Sequence, residues 1–269
     1  MKNNIHFLAI FVLFFAFSSF IHAQDDQPTT YHILSYMKVE SGMHQEYLKL
    51  EKAWKKIHQA QIKAGKQSNW VLDRVISPAG ANAEYNYITR QMFKGEAPLG
   101  KHLEGRGMPK NWKTLLTPDE IKLVERTDKI RTWVKTEVWS TIDGVSAEGY
   151  KDAKIHVFNF FDSPDGKRLV DHIKVETDLW KPIHEARIKN GDSKGWFLIQ
   201  KEIPFGSHEA YNSATVDVYD SIEQMMTPNM IETLKKVHPD KKVADVLKET
   251  AANSDLIRGE IRMQLDRAE

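Results

Sequence analysis

Apolar and polar positions along this chain follow strand-like and helix-like periods in one order, and that order occurs twice. Short alternating stretches predict strands, and apolar positions at helical spacing predict helices. In the first half the predicted elements are, in order, a strand over His32–Val39, a helix over Met43–Gln61, a hairpin of Asn69–Ile76 and Glu84–Phe93, a helix over Pro118–Thr127 and a strand over Ile130–Val138. In the second half they are Ile155–Phe161, Leu169–Arg187, Gly195–Ile203 with Glu209–Tyr219, Pro239–Ala251 and Ile257–Leu265.

Individual residues recur together with the elements. At a constant offset of 126 positions the recurring residues are Trp54, Ile57, His58, Trp70 and Tyr85-Asn86, which match Trp180, Ile183, His184, Trp196 and Tyr211-Asn212. Residues of such rare types do not match by chance without a gap, so we predict two copies of one domain. The predicted boundaries are 30–141 for repeat 1, 142–153 for a linker and 154–266 for repeat 2.

Each repeat has the order β-α-β-β-α-β, which is the ferredoxin-like order. This order gives a four-stranded antiparallel sheet with both helices on one face. The other face still carries apolar side chains, for example Phe158 and Phe160, and a bare apolar face needs a partner. We therefore predict an α+β protein whose two sheets pack together as a single-chain barrel with the helices outside, and we expect a monomer.

The first residues predict an export signal. Lys2 precedes an apolar run over Phe7–Phe17 that is too short to span a bilayer comfortably, and Ala23 provides a small residue for cleavage. Cleavage of residues 1–23 would give a periplasmic or extracellular protein without a membrane segment. It would also bring the formal net charge from +1 to zero, which argues against sequence-independent nucleic-acid binding. Because the chain has no cysteine, disulfide bonds are excluded and the stability must come from apolar cores.

With this element order, the duplication and the Trp-Lys-x-Ile-His segments at Trp54–His58 and Trp180–His184, the chain resembles the dimeric α/β-barrel superfamily. It looks most like tandem members of the group that contains the antibiotic-biosynthesis monooxygenases and the NIPSNAP-like proteins. Members of this group include cofactor-free oxygenases, heme-degrading enzymes and proteins with no assigned activity. The resemblance implies a ligand cleft between helices and sheet within each repeat.

The monooxygenases of that group use an Asn on the first strand together with a Trp. Asn159 on the first strand of repeat 2 matches this pattern, whereas the equivalent position of repeat 1 is Ser35. The resemblance therefore favours the second repeat as the oxygenase-like site. Pro182 is expected to kink the helix beside His184 and to free the carbonyl of Asp178.

The candidate site residues follow from the helical spacing. Each Trp lies four residues before a His on the face predicted to meet the sheet, where a ring can hold a flat ligand and an imidazole can act as acid or base. The predicted catalytic residues are His184, Asn159 and His58, and the predicted ligand contacts are Trp54, Trp180, Tyr85 and Tyr211. The alternative is structural, with the tryptophans filling the core and each imidazole bonded to a buried carbonyl or Tyr.

No motif in the sequence identifies a reaction, a substrate or a cofactor. We predict neither a metal nor a cofactor, although His32 and His156 would approach the helix histidines if they pointed toward the helices. Three hypotheses stay open. The chain is a binding protein or cofactor-independent oxygenase for a small apolar or aromatic compound, a non-enzymatic carrier of such a compound or of heme, or an interaction protein with filled repeats.

Overall fold

The computed structural model describes residues 27–106, 109–206, 208–227 and 229–269. The predicted signal peptide, residues 1–23, lies outside the described residues. The strands of the described part are β1 (Thr30–Lys38), β2 (Asn69–Ser77), β3 (Tyr87–Lys94), β4 (Thr132–Ser146), β5 (Ile155–Asp162), β6 (Gly195–Ile203), β7 (Ser213–Tyr219) and β8 (Asp255–Ala268).

The helices lie between these strands. They are α1 (His44–Lys63), α2 (Glu96–Lys101), α3 (Pro118–Glu125), α4 (Thr127–Ile130), α5 (Leu169–Val175), α6 (Lys181–Lys189), α7 (Ile222–Met226), α8 (Met230–Val237) and α9 (Val243–Ala251). Three of them, α2, α7 and α8, form in segments 94–116 and 221–237, for which the periodicity predicted no element. Short helices of this kind are stabilised by packing against the rest of the fold rather than by their own propensity.

The strands form one closed barrel in which every neighbouring pair is antiparallel. The order around the barrel is β1-β3-β2-β8-β5-β7-β6-β4. The first half therefore contributes the consecutive strands β4-β1-β3-β2 and the second half β8-β5-β7-β6. The halves join through the pairs β2–β8 and β4–β6, so the predicted sheet-to-sheet closure takes the form of edge-to-edge pairing that leaves no free edge.

The alternation of side chains along each strand separates two layers of packing. Ser35 on β1 faces outward toward α1, while the neighbouring Tyr36 is buried in the core inside the barrel. The register agrees between the halves, because Ser35 lies opposite Thr89 and Asn159 lies opposite Thr215. Outside the barrel, one apolar core lies beneath α1 and α3 and another lies between α6 and α8.

Glycine follows the end of the first long helix, whereas the second long helix is interrupted within its length. Gly65 follows α1 with a φ of 67°, a conformation that glycine adopts at little cost. In the second half α5 ends at Val175, a π-helical turn spans Glu176–Trp180, and α6 then begins with Pro182 in its first turn. Because proline has no N–H group, the α-helical hydrogen-bond register cannot continue unchanged through this point.

Strand β4 is longer than predicted, and this changes the interpretation of the linker. The sequence indicated that the strand would end at Val138 and that a linker would follow over residues 142–153. In the structure β4 continues to Ser146, because its second part pairs with β6 from Val138–Ile203 to Ser146–Gly195. Residues 142–146 are therefore strand, and this strand closes the barrel. Within the described ranges, no helix is long and apolar enough to cross a membrane.

Candidate functional site

Helix α1 carries the predicted first-half residues on its sheet-facing side. Ile57 and His58 are buried and Trp54 is half-buried. Directly beneath them, the outward face of the sheet presents Ser35 and Trp70. The helical spacing of these positions explains the arrangement, because residues three and four apart share one face of a helix.

A cavity of about 180 Å³ lies between α1 and the outward face of the first-half sheet. We call it the α1 cavity. Its rings and apolar walls come from Trp54, Ile57, Trp70 and Trp133. The polar groups that line it include Ser35, Glu51, His58, Thr89 and Arg131. The cavity occupies the place that the resemblance implied, but in the half that the sequence did not favour.

His58 is held by a ring stack and by two amides. Its ring lies 5.4 Å from the ring of Trp70 at an interplanar angle of 14°. Its Nδ1 lies 3.2 Å from Oε1 of Gln61 and 3.3 Å from Oε1 of Gln67. Because both partners are amide oxygens, Nδ1 is assigned as the protonated donor, which leaves Nε2 as the acceptor. Burial lowers the pKa of His58 to about 4, so the ring is neutral near pH 7.

One ion pair lies in the wall of the α1 cavity. Nη1 of Arg131 donates to Oε1 of Glu51 at 2.9 Å, and the Glu51 side chain is only 2% exposed. Burial raises the pKa of Glu51, and the neighbouring guanidinium opposes that shift. The sequence did not indicate Arg131 or Gln67 as site residues, because each comes from a segment outside α1. For Arg131, the only signal in the sequence was a charged residue directly after Ile130.

The second half repeats the stacked histidine in a more charged setting. The ring of His184 lies 5.2 Å from that of Trp196 at 14°, and its Nδ1 lies 3.4 Å from Oδ1 of Asp217. Nδ2 of Asn159 donates to Oγ1 of Thr215 at 3.2 Å and to Oδ2 of Asp217 at 3.1 Å. The predicted residues Asn159 and His184 therefore meet at a carboxylate that the sequence analysis did not single out. The signal available in the sequence was the charge of Asp217 within the otherwise uncharged segment that forms β7.

A second buried carboxyl adjoins this cluster. Burial raises the pKa of Glu176 to about 8, and the charge of Asp217 adds to the shift. Burial also raises the pKa of Asp217 to about 6, although the cation of Arg187 opposes it. One proton is therefore retained between the carboxyl groups of Glu176 and Asp217, because two negative charges in a desolvated site repel each other.

Trp54 and Trp180, the predicted site tryptophans of the two long helices, donate equivalent hydrogen bonds on the side away from the sheet. Nε1 of Trp54 donates to Oγ1 of Thr127 at 3.3 Å, and Nε1 of Trp180 donates to Oγ1 of Thr250 at 2.9 Å. Each indole thereby ties its long helix to the helical segment packed beside it. Trp54 in addition lines the α1 cavity, so packing and ligand contact are compatible for this side chain.

Tyr85 and Tyr211 lie inside the barrel, on the other face of the sheet from the α1 cavity. Tyr85 donates to Oε2 of Glu260 at 2.7 Å, and Tyr211 donates to Oε1 of Glu137 at 2.7 Å. Tyr36 donates to the second oxygen of Glu137 at 2.6 Å. Tyr85 and Tyr211 therefore each bond a glutamate of the other half, whereas Tyr36 bonds Glu137 within the first half. We call these five residues the barrel network.

His32 and His156 also point into the barrel, so they do not approach the helix histidines. Nε2 of His32 lies 2.8 Å from Oγ1 of Thr141, and Nδ1 of His156 lies 3.7 Å from Oδ1 of Asp73. The parity of β1 and β5 places these imidazoles on the face opposite to Ser35 and Asn159. In the described ranges no group of three or more histidine, aspartate or glutamate side chains is placed to hold a metal ion.

The closed barrel, the helices on its outer face and the cavity between helix and sheet define an α+β protein with the dimeric α/β-barrel fold. Among solved structures the chain is similar to a candidate monooxygenase of Fusobacterium nucleatum, with a TM-score of 0.53, 9% identity, and coverage of 91% of this chain and 96% of the other. It is also similar to a candidate monooxygenase of Lactobacillus acidophilus, with a TM-score of 0.48, 12% identity, and coverage of 90% and 96%.

A third similar structure is a heme-binding protein of Thermus thermophilus, with a TM-score of 0.47, 9% identity, and coverage of 89% of this chain and 92% of the other. At these identities the likeness concerns the fold. No protein-family model matches the sequence, and a comparison with curated proteins found no match.

Proposed function

We propose that this chain is a small-molecule-binding protein and that its site is the α1 cavity. The observation that carries the proposal is a partly open cavity that is lined by aromatic rings and by hydrogen-bonding groups, with the Glu51–Arg131 ion pair in its wall. Trp54 and Trp70 offer flat apolar surface, while Ser35, His58 and Thr89 offer polar atoms. Binding sites of this kind are mostly apolar, with a few polar groups that orient the ligand.

The volume of the α1 cavity limits the size of the ligand that it can hold. A dry protein cavity of about 150 Å³ is sufficient for benzene, and the α1 cavity measures about 180 Å³. The proposed ligand is therefore an aromatic compound of about one ring. Heme, a macrocycle of four pyrrole rings, exceeds this space, so the carrier hypothesis is retained for small aromatic compounds rather than for heme.

The protonation state of His58 determines which polar group of a ligand it can bind. Its Nδ1 is committed to the amide oxygens of Gln61 and Gln67, and its lowered pKa keeps the ring neutral. The remaining Nε2 lone pair accepts a hydrogen bond from a hydroxyl or N–H group. A phenol fits this requirement, because its ring packs against the indoles and its hydroxyl donates to the imidazole.

The two halves differ in the groups that surround the histidine, which supports the assignment to the first half. The positions of Ser35 and Gln91 in the first half correspond to Asn159 and Asp217 in the second half. Nδ2 of Asn159 donates a hydrogen bond to Asp217 at 3.1 Å, so these two larger side chains are hydrogen-bonded to each other. The first half has the small Ser35 in place of Asn159. The bond that engages Asn159 supports the first half over the second as the proposed site.

Titration of the purified chain with phenol, followed by calorimetry and by ligand-observed NMR, tests the proposal. We expect His58→Gln to weaken phenol binding by tenfold or more and the matched His184→Gln variant to leave it unchanged. Ser35→Phe should abolish binding by filling the space. Equal affinity in all three variants, or no binding by the wild type, would contradict the proposal. Oxygen uptake in the presence of phenol would extend it to an oxygenase, and a Soret band with hemin would favour the heme alternative.

We also propose that the two halves are tandem ferredoxin-like repeats and that the chain is a monomer. The identical strand order of the halves and their matching registers at Ser35–Thr89 and Asn159–Thr215 support the duplication. The pairs β2–β8 and β4–β6 leave no strand edge for a second copy. Light scattering of the purified chain tests the monomer.

Export remains a separate proposal, supported by Lys2, the apolar run over Phe7–Phe17 and Ala23. We propose that the mature chain begins near Gln24 and acts in the periplasm or outside the cell. N-terminal sequencing of secreted or periplasmic material tests it, and a start at Met1 would refute it.

A further inference from the structure

The interior of the barrel is filled at one end and hollow at the other. At the filled end the barrel network joins tyrosine and glutamate side chains of both halves. Toward the other end lies a cavity of about 400 Å³, which we call the barrel cavity. Eight-stranded barrels are wide enough to hold one small ligand, and ligand sites commonly measure about 300–1,000 Å³. The barrel cavity is separate from the α1 cavity, because it lies on the other face of the sheet.

The walls of the barrel cavity are unlike each other, although the halves that form them correspond. Arg90 on β3 lines one side, and the position equivalent to it on β7 is Val216. Deeper on the same two sides, Asp73 corresponds to Ile199. If the two repeats had kept identical residues after duplication, the same side chains would line both sides of the barrel cavity. Instead the two facing strands differ, because β3 presents the charged Arg90 and β7 presents the apolar Val216.

Arg90 is the central group on the β3 side of the barrel cavity. Within the described ranges its Nε is buried without a hydrogen-bond partner. Asp73 attracts it electrostatically, but Asp73 lies one residue layer deeper and its own carboxylate does not reach the guanidinium. An unpaired buried guanidinium is costly, since an ion removed from water needs a counter-charge. Its donors are therefore available to a ligand.

The imidazoles beside Arg90 do not compete with it for an anion. Burial lowers the pKa of His32 to about 3, and the charge of Arg90 adds to that shift. Burial also lowers the pKa of His156. Both rings are thus neutral near pH 7 and contribute only hydrogen bonds. Asp73 and Arg262 are the buried charges nearest to Arg90, and Arg262 is paired with Glu260, so Arg90 is the guanidinium that lines this part of the cavity.

The apolar wall and the rim complete an amphipathic site. Phe158, Phe197, Val216 and Val218 line the cavity without a polar side-chain atom. Lys94, Lys151 and Arg267 line it toward the open end, where Glu269 pairs with Lys151 and Arg267. Positive charge at the entrance of a cleft attracts anionic ligands and raises their association rate.

We propose that the barrel cavity binds a monocarboxylate with a hydrocarbon tail, such as a medium-chain fatty acid, with the carboxylate on Arg90 and the tail along Phe158, Val216 and Val218. A planar carboxylate matches the fork of a guanidinium in two parallel hydrogen bonds. Arg90 is the guanidinium that faces the apolar residues of β5 and β7, so a head group with one carboxylate and an apolar tail matches both sides of the cavity.

Calorimetric titration of the full chain with decanoate and with decan-1-ol tests the proposal. We expect one decanoate per chain and a weaker affinity for the uncharged alcohol by tenfold or more. Arg90→Gln should lower the decanoate affinity at least tenfold and leave the alcohol unchanged. The matched control is Arg74→Gln on the exposed side of β2, which removes the same charge and should change neither affinity.

Val216→Phe provides a second variant that does not alter charge. It should fill the apolar wall and weaken both ligands, while circular dichroism and the melting temperature verify the fold. No decanoate binding by the wild type, equal affinity for the alcohol, or undiminished binding in both Arg90→Gln and Val216→Phe would overturn the proposal. Phenol binding should be unaffected by Arg90→Gln, so failure here is distinguishable from failure of the α1 site.

Discussion

The buried carboxyl of Glu176 is expected to make the chain less stable as the pH rises from about 6.5 to 8. The side chain is 4% exposed, and burial together with the charge of Asp217 raises its pKa from 4.5 to about 8. Between these two values the folded chain holds a proton that the unfolded chain has lost. A raised pKa in the fold therefore contributes stability that is complete at low pH and is lost as the pH rises through 8.

The magnitude follows from the linkage relation. One proton bound only by the folded state changes the free energy of unfolding by about 1.4 kcal/mol per pH unit. Over the interval from about pH 6.5 to 8 the loss approaches about 2 kcal/mol. The interval begins at 6.5 because His58 and His184, whose pKa values are lowered by burial, contribute changes of the opposite sign below that pH.

Urea denaturation at half-unit pH steps across this interval measures the effect. Glu176→Gln keeps the size of the side chain and removes the titrating group, so we expect its free energy of unfolding to be nearly constant over the same steps. The matched control is Glu185→Gln, an exposed position on α6, which should retain the wild-type slope. A flat wild-type profile, or the same slope in Glu176→Gln as in the wild type, would show that the carboxyl is not held protonated by the fold.

Three further predictions concern the barrel. Tyr211→Phe removes one of the hydrogen bonds to the buried Glu137 and should cost about 1–3 kcal/mol in chemical denaturation, while phenol affinity stays unchanged if the barrel network is structural. Gly144→Ala would place a Cβ 2.4 Å from a ring carbon of Phe197. The clash should lower the free energy of unfolding by about 1–3 kcal/mol, and an unaltered melting temperature would contradict it. Isolated residues 24–145 should dimerise or aggregate in light scattering, because they expose the strand edges that the second half otherwise pairs.

Much of the fold could be predicted because it depends on local periods. The spacing of Trp54, Ile57 and His58 placed these residues on the buried face of α1, and the structure has them there. The need to cover an apolar sheet face predicted a closed barrel with helices outside. Burial of an apolar face is a requirement of any soluble fold, so it can be inferred without knowledge of which residues meet.

The site itself was less accessible to sequence reasoning. Glu51 and Arg131 are far apart in the chain and meet only because α1 packs against α4, at whose end Arg131 lies. The sequence favoured the second half on the strength of Asn159, yet the bond between Asn159 and Asp217 engages that side chain. Whether a polar residue faces a cavity or a partner depends on its neighbours across the sheet, which periodicity does not specify.

The sequence by itself determined the order of the main elements, the residues of α1 that are buried, and the place where Pro182 interrupts the second long helix, because these depend on the chain over a few residues. Only the tertiary structure decided that His32 and His156 point into the barrel and that Arg90 faces Val216 across it. A shift of one residue in strand parity exchanges the two faces of a sheet. The closure of the barrel sets that parity and determines which wall of each cavity is polar.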